Sequence, residues 1–341
     1  MKALILGLVL AILAGGAFAS WRAYRFMNVP PESPGQEKTV LIEPGMTFAQ
    51  IALALRRENV ISSQLGFKIL ARVTEQGNKV KAGEYLLSTG LTPEKVLDLL
   101  VSGQAILYKV SVPEGLTMRQ IAKLVEAAGL GSPESFERAA SDQELLAKYH
   151  IPAQEAEGFL FPETYKFTRK PGNDARQVVE AMLRQFNRKI REAWNQVPPQ
   201  GQELYQAVIL ASIVEKETAK PEERPRVAGV FMNRLAKKML LQTDPTIIYG
   251  LGDQYDGNLH RAQIDDAKNP YNTYQHPGLP PGPICNPGLE SLKAVAAPEN
   301  NDLYYFVATG DGGHHFSKTL EEHNQAVAKY QLHKPRPAPG N

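Results

Sequence analysis

Residues 3 to 21 carry no charge and are almost wholly apolar. Nothing else in the 341-residue chain restricts its fold so strongly. A run of about 20 apolar residues, wound as a helix, matches the hydrocarbon core of a bilayer. Arg22 and Arg25 close the run, and Pro30, Pro31, Ser33, Pro34 and Gly35 follow. The pattern predicts a membrane anchor over residues 1–22 and a short stiff tether over 23–37. The competing reading is a cleaved leader, because Ala17-Phe18-Ala19 before Ser20 fits a small-residue cleavage site. The run is longer than the apolar segment of an ordinary leader, which favours the anchor. Both readings export the rest of the chain. Lys2 and the amino terminus on one side match Arg22 and Arg25 on the other, so the flanking charge sets no orientation.

Charge and cysteine content narrow the remainder. Lys and Arg total 38 against 36 Asp and Glu. Such a balance offers no basic field for nucleic acid, which is not an expected partner. Cys285 is the single cysteine. It rules out an intrachain disulfide, and one thiol cannot build a cysteine-based zinc or iron–sulfur site.

After the tether comes a weak internal repeat. Val40-Leu-Ile-Glu-Pro-Gly-Met-Thr-Phe-Ala-Gln-Ile-Ala resembles Val110-Ser-Val-Pro-Glu-Gly-Leu-Thr-Met-Arg-Gln-Ile-Ala. Each copy reads as a strand, a Pro/Gly turn and a helix. Thr47 with Gln50 and Thr117 with Gln120 form matching capping boxes, in which hydroxyl and amide each satisfy a free backbone N–H. Between the copies, Lys81 to Leu87 reads as a strand, and Thr92-Pro93 opens a short helix. The expected fold class is α+β: the membrane helix, a small α+β unit over 38–108, a connecting α/β segment over 109–155, and a larger mixed α+β domain over 156–333. Residues 334–341 are Pro-rich and expected to be disordered.

The larger domain opens with Glu157-Gly-Phe-Leu-Phe-Pro-Glu163. Three helices are expected next, from Ala175 to Trp194, Gln202 to Thr218 and Glu222 to Met239. The middle one is apolar on most sides and so belongs inside the domain. Strands at 303–309 and 314–317, joined by Gly310-Asp-Gly-Gly, close the domain as a hairpin. Two carboxylates, Glu215 and Glu217, stand at the C-terminal end of the buried helix. The helix dipole and burial both disfavour a charged carboxylate there, and so raise its pKa toward what a general acid needs. At 100° per residue the two lie about 200° apart and face different ways. Glu217 follows the Leu210–Ile213–Val214 stripe and has the more desolvating neighbours. Solvated structural carboxylates remain the commoner use of such residues. Downstream, Leu241-Gln-Thr-Asp-Pro-Thr-Ile-Ile-Tyr-Gly, Tyr271-Asn-Thr-Tyr and Gly278-Leu-Pro-Pro-Gly-Pro-Ile-Cys-Asn-Pro-Gly supply rings, amides and stiff loops suited to a sugar. Plain turn chemistry would also account for each piece. His314, His315 and His323 lack zincin spacing, and no metal or cofactor is expected.

Taken together, Ala211-Ser-Ile-Val-Glu-Lys-Glu-Thr, the Leu241–Gly250 and Tyr271–Tyr274 motifs, Gly278-Leu-Pro-Pro-Gly, Tyr304-Tyr-Phe-Val-Ala and His323-Asn324 resemble the endolytic murein transglycosylases, the MltG or YceG-like family. The resemblance extends over nearly the whole chain. It implies cutting of the β-1,4 bond between N-acetylmuramic acid and N-acetylglucosamine within nascent peptidoglycan strands, leaving 1,6-anhydro ends. It implies Glu217 as the catalytic residue, with Glu215 supporting, and a LysM-like glycan-binding role for residues 38–108. Glu163, Gln242, Asp244, Thr246, Tyr271, Asn272, Tyr274 and Asn286 are the expected substrate-binding residues. The implied location is the cytoplasmic (inner) membrane, single-pass, with the catalytic domain outside. Peptidoglycan synthases of the penicillin-binding class and the elongation or division complexes are the implied partners. Two further readings stay open: a two-carboxylate hydrolase using Asp244 or Glu163, and a wall-binding protein without catalysis.

Overall fold

The computed structural model describes residues 2–169 and 174–332, so the expected tail at 334–341 lies outside the described residues. The fold is mixed α+β and divides into two units. The first comprises residues 1–108 and 166–173, and the second 109–165 and 174–341.

The first unit runs α1 (Lys2–Asn28), β1 (Glu37–Ile42), α2 (Phe48–Arg57), α3 (Gln64–Val73), β2 (Gly83–Ser88) and α4 (Pro93–Ser102). Within α1, the segment Ile5–Asn28 is long and apolar enough to cross a membrane, and none of it is buried in protein. Strands β1 and β2 pair antiparallel, with Val40 opposite Tyr85. Alternation puts Val40, Ile42, Tyr85 and Leu87 on one face, where they meet Ile51, Leu55, Phe67, Leu97 and Leu100 from the helices. Tyr85 is wholly buried, yet its hydroxyl donates to the carbonyls of Lys81 and Leu100. The predicted box at Thr47 is present, with Gln50 N–H on the hydroxyl and the Gln50 side chain on Thr47 N–H. Pro93 opens α4, and Gly103, at φ +78°, ends it in the left-handed conformation that glycine adopts without strain.

The expected tether differs from the structure. Helix α1 continues to Asn28, whose side chain donates to Tyr24 O. The following chain is pinned rather than free. Glu32 accepts from Asn59 Nδ2 at 2.7 Å and from Thr89 Oγ1 at 2.7 Å, and its own N–H reaches Thr89 O. One carboxylate thus fastens the segment after α1 onto the core that α2 and β2 build, which proline content alone does not reveal.

Between the units' sequences lie β3 (Tyr108–Ser111) and β4 (Thr164–Phe167), which form a two-stranded sheet. The second unit adds α5 (Met118–Ala127), α6 (Pro133–Ala140), α7 (Gln143–Lys148), α8 (Arg176–Ala193), α9 (Gly201–Glu217) and α10 (Arg224–Ala236). It closes with α11 (Asp244–Leu251), α12 (Arg261–Ile264), α13 (Leu289–Ala296), β5 (Tyr305–Ala308), β6 (His314–Ser317) and α14 (Leu320–Val327). Helix α9 is its axis: every residue from Val208 to Val214 is buried, and α10, α11 and α13 pack around it. The capping box at Thr117 starts α5. Strands β5 and β6 pair antiparallel with Phe306 opposite Phe316. The helix expected from Glu222 begins later, after a single 3-10 turn at Pro221–Glu223. The Asp244-Pro245 step opens α11; proline suits a first turn, where its missing N–H has no partner to lose.

Candidate active site

Helix α9 delivers two carboxylates at its last turn, and they engage different partners. Glu215 is built into the protein. Its Oε1 takes Arg224 Nη2 at 3.1 Å, and its Oε2 takes Ser291 Oγ at 2.8 Å and Gly288 N–H at 3.0 Å. Arg224 also reaches Glu114 at 3.7 Å. One guanidinium therefore serves two carboxylates, and burial together with Glu215 pushes the Glu114 carboxyl up. This ion group ties α9 to α10, to the start of α13 and to the turn before α5.

Glu217 faces a different set of groups. The Thr243 hydroxyl donates to its Oε1. Thr243 caps α11 and is itself buried and held: Thr273 Oγ1 accepts its N–H at 3.1 Å, and its carbonyl accepts Thr246 Oγ1 at 2.7 Å. The preceding Gln242 sits at φ +50°, a left-handed conformation costing on the order of 1–3 kcal/mol outside glycine. Its N–H is fixed on Thr273 O at 3.1 Å. That strain is what turns the chain so that Thr243 meets Glu217. Asp244 follows, exposed, and accepts Tyr274 OH at 2.7 Å.

Two further side chains, Arg234 and His314, bear on the same carboxyl. Arg234 is buried, with its guanidinium on the carbonyls of Tyr304, Leu240 and Leu241. His314 on β6 is gripped by Glu223, which takes its backbone N–H at 3.0 Å and its Nδ1 at 2.7 Å. Glu223 also accepts from Thr218, the residue after Glu217, at 3.2 Å. Burial opposes the Glu223 charge, but its bonds to His314 and Thr218 hold the carboxyl below its ordinary range. For Glu217 the balance goes the other way. Burial pushes its carboxyl up and Asp244 adds to this, while Thr243, His314 and Arg234 pull back without cancelling it. The outcome is an acid that keeps its proton to a higher pH than a free carboxyl, beside groups that receive the anion once the proton leaves. That is the equipment of a residue that gives up a proton and takes one back.

The expected substrate residues separate by placement. Gln242, Asp244 and Tyr274 stand at the Glu217 cluster, and burial raises the Tyr274 hydroxyl well above its usual range. Thr246 is wholly buried against Thr243 and Thr273, which makes it a support. Asn272 is wholly buried, its amide N–H groups spent on Gln263, Ile264 and Asp266 carbonyls and its oxygen on Tyr274 N–H. Asn286 is likewise spent on Leu160, Leu116 and Glu157. Thr246, Asn272 and Asn286, expected as substrate contacts, are thus buried side chains bonded to neighbouring protein groups in this structure. Tyr271 packs on Tyr249 with ring centroids 4.9 Å apart, and burial raises its hydroxyl to about 12. Glu163 is exposed, with its carboxylate on Gln185, and no hydrogen bond links it to the Glu217 group.

Sequence reasoning passed over Thr243, Arg234, Glu223 and the pairing of Glu223 with His314. Thr243 sat inside a noted motif between two residues that were chosen, so its signal was available. The burial of Arg234 left none. His314, His315 and His323 go to separate partners, Glu223, Tyr330 and Tyr305. Glu157 was also passed over as a site: its buried carboxylate accepts Met118 N–H, Asn286 Nδ2 and Tyr249 OH, and burial lifts it to about 7. A cavity of about 700 Å³ lined by Gln154, Glu155, Gln202, Tyr205 and Pro281 shares no residue with the Glu217 cluster.

The sequence model of the YceG-like family matches residues 40–329. A protein named endolytic murein transglycosylase from Bacillus subtilis (strain 168) is 31% identical over 337 residues, spanning 94% of this chain and 91% of that protein. One of the same name from Streptococcus pneumoniae (serotype 2, strain D39) is 28% identical over 354 residues, spanning 94% of this chain but 63% of that protein. Among solved structures, a YceG-like protein from Listeria monocytogenes matches with a TM-score of 0.55 at 32% identity, covering 85% of this chain and 99% of that one.

Proposed function

This chain belongs to the YceG-like family, and from that membership we propose that it is a peptidoglycan lytic transglycosylase that cuts inside glycan strands. The observation that carries the mechanism is the single part-buried carboxyl of Glu217, raised by burial and held by Thr243. Protonated Glu217 gives its proton to the oxygen between N-acetylmuramic acid and N-acetylglucosamine, and the anomeric C–O bond breaks. The substrate's own acetamido group offsets the charge at the anomeric carbon. Ionised Glu217, now faced by Arg234 and His314, takes the proton of the muramic acid C6 hydroxyl. The C6 oxygen bonds to the anomeric carbon, closing the 1,6-anhydro ring. Glu217 ends protonated as it began, and no water is consumed. Gln242, Asp244 and Tyr274 line the same place as substrate contacts.

The apolar helix α1 supports a single-pass anchor in the cytoplasmic membrane, with the catalytic residues on its outer face. There, cutting nascent strands limits their elongation, with peptidoglycan synthases and the elongation or division complexes as neighbours. Residues 38–108 are read as a LysM-like glycan-binding unit, supported by a core of their own. Asp244 beside Glu217 favours one second reading, a hydrolase in which it activates water. Mass spectrometry of peptidoglycan treated with the full-length protein separates the two. Anhydro ends are expected; reducing ends mean hydrolysis. Glu217→Gln is expected to lower the rate by about 10²–10⁴ while the melting temperature holds. A variant as active as the parent would end the proposal.

A further inference from the structure

Helix α3 has three unlike sides. Phe67, Leu70 and Ala71 enter the core of the first unit. Leu65, Ile69 and Val73, spaced four apart and so aligned on one face, are instead 67%, 55% and 76% exposed. Lys68 and Arg72, also exposed, flank that stripe along one edge. An uninterrupted apolar stripe with a basic border is what a helix lying in a membrane surface presents, with its apolar side down and its cations at headgroup level.

What points to the bilayer, rather than to another occupant, is the company α3 keeps. The ring of Phe26, from the end of α1, lies against Gly66, so close that a Cβ at that position would stand 3.0 Å from the ring. Gly66 falls on the helical wheel beside Ile69 and Val73. The membrane helix therefore emerges directly along the edge of the stripe. Counting from Ala3, about 20 residues of hydrocarbon end near Arg22. Trp21 and Tyr24 are exposed there, with Arg25 over the Trp21 ring at 5.3 Å, as at the boundary between tails and headgroups. Phe26 follows within the same turn. No slack separates the two elements, because α1 is unbroken to Asn28 and Glu32 fastens what comes next.

We propose that α3 is a second membrane contact: its Leu65–Ile69–Val73 stripe lies in the bilayer surface beside the exit of α1, with Lys68 and Arg72 among anionic lipid headgroups. The contact rests on α1 being an uncleaved membrane helix, and it turns the anchor from a point into a platform that fixes how the first unit stands on the membrane.

The test uses the full chain in vesicles of phosphatidylethanolamine and phosphatidylglycerol, spin-labelled at one engineered cysteine at a time. Native Cys285 is buried and stays unlabelled. Labels go to Leu65, Ile69 and Val73, with Ile12 reporting the span and Val197, 79% exposed in the second unit, reporting water. Collision with lipid-soluble oxygen is compared with collision with a water-soluble nickel chelate. The three α3 labels are expected to shift toward oxygen relative to Val197, at a shallower depth than Ile12. If Ile12 is oxygen-favoured but the α3 labels match Val197, the second contact is refuted while the anchor stands. If Ile12 itself is chelate-favoured, the anchor reading fails and the contact with it. Dipolar broadening at α3 that disappears on dilution with unlabelled protein would place a second copy on the stripe and overturn the bilayer as its occupant.

Discussion

At the scale of single residues, the protein separates two jobs that look alike in sequence. In the proposed mechanism Glu217 exchanges a proton, and the Thr243 hydroxyl on its carboxyl sets how readily it does so. A hydrogen bond to a carboxylate favours its charged form. Thr243→Val is therefore expected to raise the Glu217 pKa, moving the alkaline fall in kcat/KM to higher pH. A pH–rate profile checks this, and a fall that stays in place would show that the Thr243 hydroxyl does not tune Glu217. Glu157 gives a second pH signature, this time in stability. Its carboxyl titrates at about 7 when folded, against about 4.3 for an unperturbed glutamate. A raised folded pKa means stability that is complete below the unfolded value and is lost as pH rises toward 7. The loss is on the order of 3 kcal/mol. Denaturant titrations from pH 4 to 8 should show it, and Glu157→Gln should flatten that slope. Of the candidate site, the raised carboxyl of Glu217 was legible because a carboxylate ending an apolar helix is electrostatically awkward wherever the helix packs. For Asn272 and Asn286 the sequence shows an amide in a loop, but not that the amide is buried and bonded to protein groups.

Secondary-structure elements are joined here by buried charge. Arg224 on α10 neutralises Glu215 of α9 and Glu114 before α5. Arg224→Met would leave two carboxylates facing each other, and breaking such a buried group costs about 3–5 kcal/mol. A large fall in melting temperature is expected, and one within a degree of the parent would show that the ion group is expendable. Thr117→Ala, which deletes only a cap, should cost about 1 kcal/mol. Both capping boxes were readable in advance, since Thr and Gln three apart act locally and need no tertiary partner. The short helices α6, α7, α13 and α14 were not foreseen. Each spans about two turns, too little for a periodic pattern to stand out from chance. The β5–β6 hairpin was legible from its Gly310-Asp-Gly-Gly turn, but its delivery of His314 to Glu223, the residue before α10, was not.

For the whole molecule, α1 is the element that bears on location, because it is long and apolar enough to cross a membrane. Full-length protein is expected to stay with membranes through a high-salt wash, since apolar insertion is not screened as surface charge is. Recovery of a mature chain beginning at Ser20 would instead establish cleavage. The order in which the units occur along the chain has a further effect during synthesis. The first unit is not contiguous: it resumes at Lys166, where Arg169 lays its guanidinium 4.0 Å over the Tyr108 ring. As the polypeptide emerges, residues 1–108 appear first and must then wait while 109–165 are made. At about 5–20 residues per second the interval is on the order of 3–10 s. Through it, the nascent first unit stays one segment short, and its completion is timed by translation of part of the second.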